Sequence, residues 1–154
     1  MYFRPAGPWC MAFYTGSCFN KTQAQSNCKG QLSGLDSDDE YAYLKGNTAR
    51  WTNYTQFSGA WLDGQRKSEC VGQTTDACQG IKAFQFTDPT LSANPAGYHF
   101  NPGKPDATSG DCLGYRVNAD KTFGVENFPC DTASNATLNI CFQGYLCGVA
   151  PIPV

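Results

Sequence analysis

Phe100-Asn101-Pro102-Gly103-Lys104-Pro105-Asp106, followed by Cys112, is the stretch on which the reading of this chain turns. Pro105 stands between a cation and an anion, and an X-Pro bond is the one peptide bond that takes the cis form at small cost. Gly103 permits backbone angles that other residues resist. The apolar run Cys112-Leu113-Gly114-Tyr115-Arg116-Val117 reads as a strand. A second polar segment, Gly124-Val125-Glu126-Asn127-Phe128-Pro129, ends at Cys130. Two polar loops, each closed by a cysteine, have the pattern of a ligand site on a disulfide-framed scaffold. On local sequence alone the plainer reading, two surface turns rich in Gly, Pro and Asp, takes precedence.

The rest of the composition sets the setting. At 154 residues the chain is long enough to bury a core without staples, yet it carries nine cysteines spread from end to end, which points to an oxidising compartment. No Cys-x-x-Cys occurs and His99 is the sole histidine, so no zinc ligand set has the right spacing. Sequons at Asn20, Asn53 and Asn135 are consistent with glycosylation in a secretory pathway. Met1-Tyr2-Phe3-Arg4-Pro5 lacks the apolar core of a signal peptide, so the chain reads as a mature or trimmed secreted protein. No apolar run approaches the roughly 18 residues of a membrane span. Eleven basic residues against thirteen acidic ones give no electrostatic footprint for nucleic acid or an anionic membrane. Aromatics at 14% and 16 glycines suit a loop-rich β domain.

Along the chain, residues 9–19 read as a short hairpin turning at Thr15-Gly16-Ser17, which would bring Cys10 and Cys18 close enough to bridge. A first helix is predicted over Lys21–Lys29 with Gly30 as its C-terminal cap. Ser37-Asp38-Asp39-Glu40 has the form of a capping box, with Glu40 reaching back, and starts a second helix that presents Tyr41 and Leu44 to the core and ends at Gly46. Ala60–Gly64 reads as a central strand and Ala83–Asp88 as a half-buried one. A local Cys70–Cys78 disulfide would close the loop between them. Pro89–Ser109 shows no periodicity, and so long a structureless stretch is usually functional or disordered. Cys141–Cys147 reads as the last strand and residues 150–154 as a tail, giving one domain over 1–154 with its core at 9–149.

The order of these elements resembles the C-type lectin-like domains, particularly the secreted ones abundant in nematodes. Trp9-Cys10 and Cys18-Phe19 resemble the N-terminal hairpin of the long form. Ala24-x3-Cys28-x-Gly30-x-Leu32-x2-Leu35-x4-Glu40 resembles the two-helix signature, and Trp61-Leu62-Asp63-Gly64 the core strand written W-I-G-L. Phe86-Thr87-Asp88 is similar to the W-T-D-G turn, and Phe100-x2-Gly103-Lys104-Pro105-Asp106 to W-x2-G-Q-P-D. The resemblance implies an α+β fold, with two helices flanking antiparallel β-sheets and a long loop carrying the ligand site. It also implies Cys28–Cys147 closing the domain, Cys112–Cys130 pinning the loop, and a cis bond at Lys104–Pro105. With Cys10–Cys18 and Cys70–Cys78 added by spacing, Cys141 is left over for a free thiol or a disulfide-linked oligomer, unless another member of the set is the odd one.

The resemblance further implies a loop site at Lys104, Pro105, Asp106, Asp111, Glu126 and Asn127, and there the sequence departs from the sugar-binding pattern. Lys104 occupies the first calcium-ligand position, where an ammonium would repel the ion. Gly110 falls where an acidic residue is expected, with Asp111 beside it, and Val125-Glu126-Asn127 replaces Trp-Asn-Asp. No cofactor is therefore expected and calcium is doubtful. One histidine and no Gly-x-Ser-x-Gly leave no serine or cysteine triad, and His99, between two aromatics, reads as a packed strand residue. The expected function is a secreted, non-enzymatic recognition module for a glycan or a cell-surface protein ligand, acting without calcium. Tyr98, Phe100, Phe123 and Phe128 could offer stacking faces to a sugar but read more readily as core. The alternative is a calcium-dependent lectin with a degenerate motif.

Overall fold

Apolar residues on two faces decide where the central strands lie. The computed structural model describes residues 1–53 and 57–153. An N-terminal hairpin of β1 (Tyr2–Arg4) and β2 (Gly7–Thr15) is followed by α1 (Lys21–Asn27), β3 (Gln31–Leu32), α2 (Asp38–Asn47) and the long β4 (Phe57–Arg66). Then come β5 (Phe84–Gln85), β6 (Cys112–Val117), β7 (Phe123–Phe128), β8 (Ser134–Asn135) and β9 (Ile140–Val149). The main path through the sheet is β1-β2-β9-β4-β6-β7. β9 runs antiparallel to β2, with Cys10 opposite Val149, and parallel to β4, with Trp61 opposite Tyr145. The sheet is thus mixed, whereas the family pattern led us to expect antiparallel pairing. β4 and β9 are far apart in sequence, so no hairpin forces them to run in opposite directions.

Trp61 and Leu62, adjacent in β4, point to opposite faces, and both are fully buried. On the face of α1, the Trp61 ring stacks on Phe142 at 3.9 Å between centroids and its Nε1 donates to the Phe19 carbonyl at 2.8 Å. Ala24 and Leu32 belong to the same cluster. On the face of α2, Leu62 packs in a cluster with Leu35, Leu44, Trp51, Leu113 and Leu146. A sheet covered on both sides explains why Trp61-Leu62-Asp63-Gly64 is buried throughout instead of alternating.

Several local expectations give way to tertiary contacts. β2 does not turn back at Thr15-Gly16-Ser17; its partners are β1 and β9. Gly16 N–H and Phe19 N–H donate to the Gln143 and Phe142 carbonyls, which lays the following segment along β9. α1 ends at Asn27 with Cys28 as its cap. Gly30 serves close approach instead, since a Cβ there would meet the Gly148 carbonyl oxygen at 2.2 Å. Gly46 lies inside α2, which stops at Thr48, whose N–H and hydroxyl both donate to the Leu44 carbonyl. The half-buried strand shrinks to Phe84–Gln85, because the Asp63 carboxylate accepts from the Thr87 and Asp88 amides at 2.8 Å each and turns the chain off the ladder.

Four disulfides join Cys18–Cys141, Cys28–Cys147, Cys70–Cys78 and Cys112–Cys130, with Cα separations of 5.1, 5.7, 5.3 and 5.1 Å. The expected Cys10–Cys18 bridge is corrected: Cys10 is held opposite Val149 and is free, while Cys18 runs beside Cys141 and takes it as partner. Cys141 is consequently not available to link oligomers. Ordered packing also reaches further toward the N-terminus than residue 9. Arg4 is buried with Glu40 and Asp88: its Nε donates to Glu40 at 3.1 Å and its Nη1 to both Asp88 oxygens at 2.9 and 2.8 Å. Glu40 therefore answers Arg4 as well as Ser37, whose hydroxyl caps the Glu40 amide and donates to the Glu40 carboxylate. The Asn53 sequon runs into residues 54–56, outside those described. Asn20 caps α1 and Asn135 a local turn, accepting from the Gln23 and Leu138 amides, and both are partly exposed.

Candidate functional site

The long loop is laid across the end of the sheet by main-chain bonds to β7: Asn101 N–H donates to the Val125 carbonyl at 3.0 Å and Val125 N–H to the His99 carbonyl at 2.8 Å. The Lys104–Pro105 bond is cis, as the family pattern implies. Beyond it, three side chains knot the loop. The Lys104 ammonium donates to the Asp106 carboxylate at 2.8 Å and to the Ser109 hydroxyl at 2.9 Å. Asp106 also accepts from the amides of Thr108 and Ser109 and from the Ser109 hydroxyl. Burial favours its neutral acid form, but these bonds from Lys104 and Ser109, with one from Asn127, outweigh it. They hold the carboxyl well below the ordinary carboxylate range.

Asn127, only 1% exposed, clamps the loop from below. Its Oδ1 accepts from Asp106 N–H at 3.0 Å, and its Nδ2 donates to the Asp106 and Gly110 carbonyls at 3.0 and 2.8 Å. Arg66, at the end of β4, closes the same ring: its Nη2 reaches those two carbonyls and its Nε pairs with Asp111 at 2.9 Å. Glu126 is on the other side of β7, as period-two alternation requires. It accepts from Asn101 Nδ2 at 2.7 Å and lies 3.8 Å from the Arg116 guanidinium.

Of the six expected site residues, Lys104, Pro105, Asp106 and Asn127 are brought together. Asp111 sits beside them but is tied to Arg66, and Glu126 faces away. Sequence reasoning missed Arg66, Asn101 and Ser109. Arg66 carried no local signal, because its partners lie some forty residues on.

Calcium does not fit these residues. It needs about six to eight oxygens, whereas here an ammonium and a guanidinium occupy the ring and the Asn127 carboxamide turns N–H groups into it. No group of three acidic, histidine or cysteine side chains positioned for a metal occurs among the described residues. Nor can position 110 supply the missing carboxylate: Gly110 has φ +143°, and a Cβ there would lie 1.9 Å from the Phe128 carbonyl carbon.

His99 departs from its expected packed position. It is about half exposed, stacks on Tyr41 at 4.4 Å and lies 2.7 Å from the Asp38 carboxylate. Tyr98 and Phe128 are buried, and Phe100 and Phe123 pack partly buried against the core.

The sequence matches the profile of C-type lectin domain-containing protein 141/158 over residues 4–150, and the chain belongs to the C-type lectin domain family. No curated protein sequence matches it. Among solved structures, the C-type lectin domain of mouse dendritic cell inhibitory receptor 2, in complex with N-glycan, aligns at TM-score 0.62 with 14% identity, covering 93% of this chain and 91% of that one. The calcium-independent C-type lectin SPL-2 from Saxidomus purpuratus aligns at 0.60 with 16% identity, covering 92% and 86%. The carbohydrate-recognition domain of cow CD23, crystallised in the presence of a GlcNAc2Man3 oligosaccharide, aligns at 0.57 with 15% identity, covering 94% and 90%. At such identities these likenesses establish the fold. No described helix is long and apolar enough to cross a membrane.

Proposed function

We propose that this chain is a secreted, non-enzymatic recognition module that binds a glycan or a cell-surface protein ligand across the loop around Pro105 without calcium. The observation that carries the reading is the Lys104–Asp106 pair clamped by Asn127, which orders the loop with its own side chains at the positions where the family resemblance implies calcium ligands. Glycan ligands are supported by two of the structural neighbours, solved with N-glycan or oligosaccharide, and independence from calcium by a third. Four disulfides and the partly exposed sequon asparagines Asn20 and Asn135 support a secretory route and glycosylation. The exposed His99 stacks on Tyr41 and lies beside Asp38 on the surface, an arrangement that supports a structural role for it and binding over catalysis.

The test is a glycan array read in millimolar calcium and again in chelator, with thermal melts in the same buffers. A ligand raises the melting temperature only in proportion to its binding of the native state. Equal melting temperatures and equal array signals are expected. A calcium-induced rise in melting temperature, or array binding abolished by chelator, would overturn the reading in favour of a calcium-dependent lectin.

A further inference from the structure

A cavity of about 590 Å³ opens between α1 and the β4–β5 edge, behind the Cys112–Cys130 disulfide and apart from the Lys104–Asn127 knot. Its size falls within the roughly 300–1,000 Å³ of small-ligand clefts. Lys21 crosses its floor: the ammonium donates to the Gly64 carbonyl at 2.8 Å, leaving two of its three N–H donors uncommitted among the described residues. Burial lowers the Lys21 pKa against the pull of nearby Asp63, and burial raises that of Asp63 against its own hydrogen bonds and Lys21. The two groups offset one another, so the floor carries polarity with little net charge.

The walls supply groups that both donate and accept. Thr22 and Ser26 face the cavity from α1, and Gln65 and Gln85 from the two strands. None of these four side chains, all of them exposed, hydrogen-bonds to any described residue. Phe86, half-buried, adds one aromatic face, and the disulfide an apolar wall. Uncommitted hydroxyls and carboxamides spaced around a ring-sized space, with an aromatic face and a near-neutral floor, suit a ligand that is uncharged, rich in hydroxyls and apolar on one side. An anion would face Asp63, and a purely apolar ligand would displace water from the polar walls without replacing its hydrogen bonds.

We infer that this α1–β4 cavity is a second ligand site, for a neutral pyranose ring, separate from the surface around Pro105. It does not depend on the long-loop reading. Isotope-labelled protein in chelator is titrated with methyl α-mannopyranoside, methyl β-galactopyranoside and N-acetylglucosamine while the backbone amides are followed by NMR. At least one sugar should shift amides at 21–26 and 85–87, saturating with a dissociation constant on the order of 1 mM. Ser26→Trp, which fills the cavity from an exposed helix position, and Gln85→Leu, on the opposite wall, should each weaken this binding at least roughly tenfold. Lys104→Ala should leave it unchanged. Should either cavity variant fail to fold, the other decides. The inference is overturned if all three sugars leave these amides unmoved up to tens of millimolar. It is also overturned if shifts appear at 104–109 and 124–127 alone, which would favour the long-loop reading, or if Ser26→Trp and Gln85→Leu leave the cavity shifts unchanged.

Discussion

Arg4→Met should unfold this protein far more readily than an N-terminal substitution normally would. The side chains of Arg4, Glu40 and Asp88 are 1%, 1% and 0% exposed, so the guanidinium is the counter-ion of two carboxylates that water does not reach. It also donates to Thr90 Oγ1 at 2.9 Å and to the Gly34 carbonyl at 3.2 Å, tying β1 to α2 and to the start of the long loop. Met keeps the apolar stem and removes the charge. Breaking a buried pair by deleting one partner costs about 3–5 kcal/mol, most of it from the stranded opposite charge. For a chain of this length each kcal/mol lowers the melting temperature by roughly 2–4 °C, which gives a fall of about 6–20 °C. Circular dichroism melts and urea titrations at pH 7 measure it, and hydrogen exchange should show faster opening of amides at 88–92. Adding Glu40→Met and Asp88→Asn to Arg4→Met should recover more than half of the loss, because the triple variant strands no buried charge. A triple variant no more stable than Arg4→Met would refute the electrostatic argument and assign the cost to packing.

Further expectations follow from the covalent and backbone frame. Cys10→Ser, at a partly buried strand position, should cost no more than about 1 kcal/mol. Cys141→Ser should cost about 2–5 kcal/mol by opening the Cys18 bridge, and thiol labelling of the intact native chain should mark Cys10 alone; labelling of Cys141 would contradict the pairing. Gly110→Glu, the obvious attempt to restore an acidic ligand, should lose about 2–5 kcal/mol through its positive φ and its collision with Phe128, with no gain in calcium affinity by calorimetry.

What was legible in the sequence depended on whether the cause was local. The Ser37 cap and the strand at Cys112–Val117 each follow from chemistry within a few residues, and each is present. The Thr15-Gly16-Ser17 turn was misread because turn residues report that the chain bends, not which strand it then joins. The Cys10–Cys18 bridge falls with that turn, since short spacing carries no information about a partner 123 residues away. In the long loop, the proline and its charged flanks were readable. The ring of carbonyls held by Arg66 and Asn127 was not, because main-chain acceptors leave no trace in a sequence.

An ion-held loop opens when the ion is withdrawn, whereas this one should open only when Asp106 takes up a proton. Its carboxylate is held below the ordinary range by Lys104, Ser109 and Asn127 against the opposing effect of burial. A carboxyl whose folded pKa is depressed contributes its stability above the unfolded value, near 3.9, and loses it only as pH falls through the lower folded value. The loop should accordingly stay closed across the mildly acidic range. The Thr108 and Ser109 amides, which donate to Asp106, report this directly. Their NMR shifts should remain flat from neutral pH down to about pH 4 and move only below it. Lys104→Met removes one of the donors that depress the carboxyl, so the midpoint in that variant should rise toward the ordinary value. A midpoint at or above about 4 in the unmodified protein, or no change on Lys104→Met, would show that the Lys104 pair does not organise the loop.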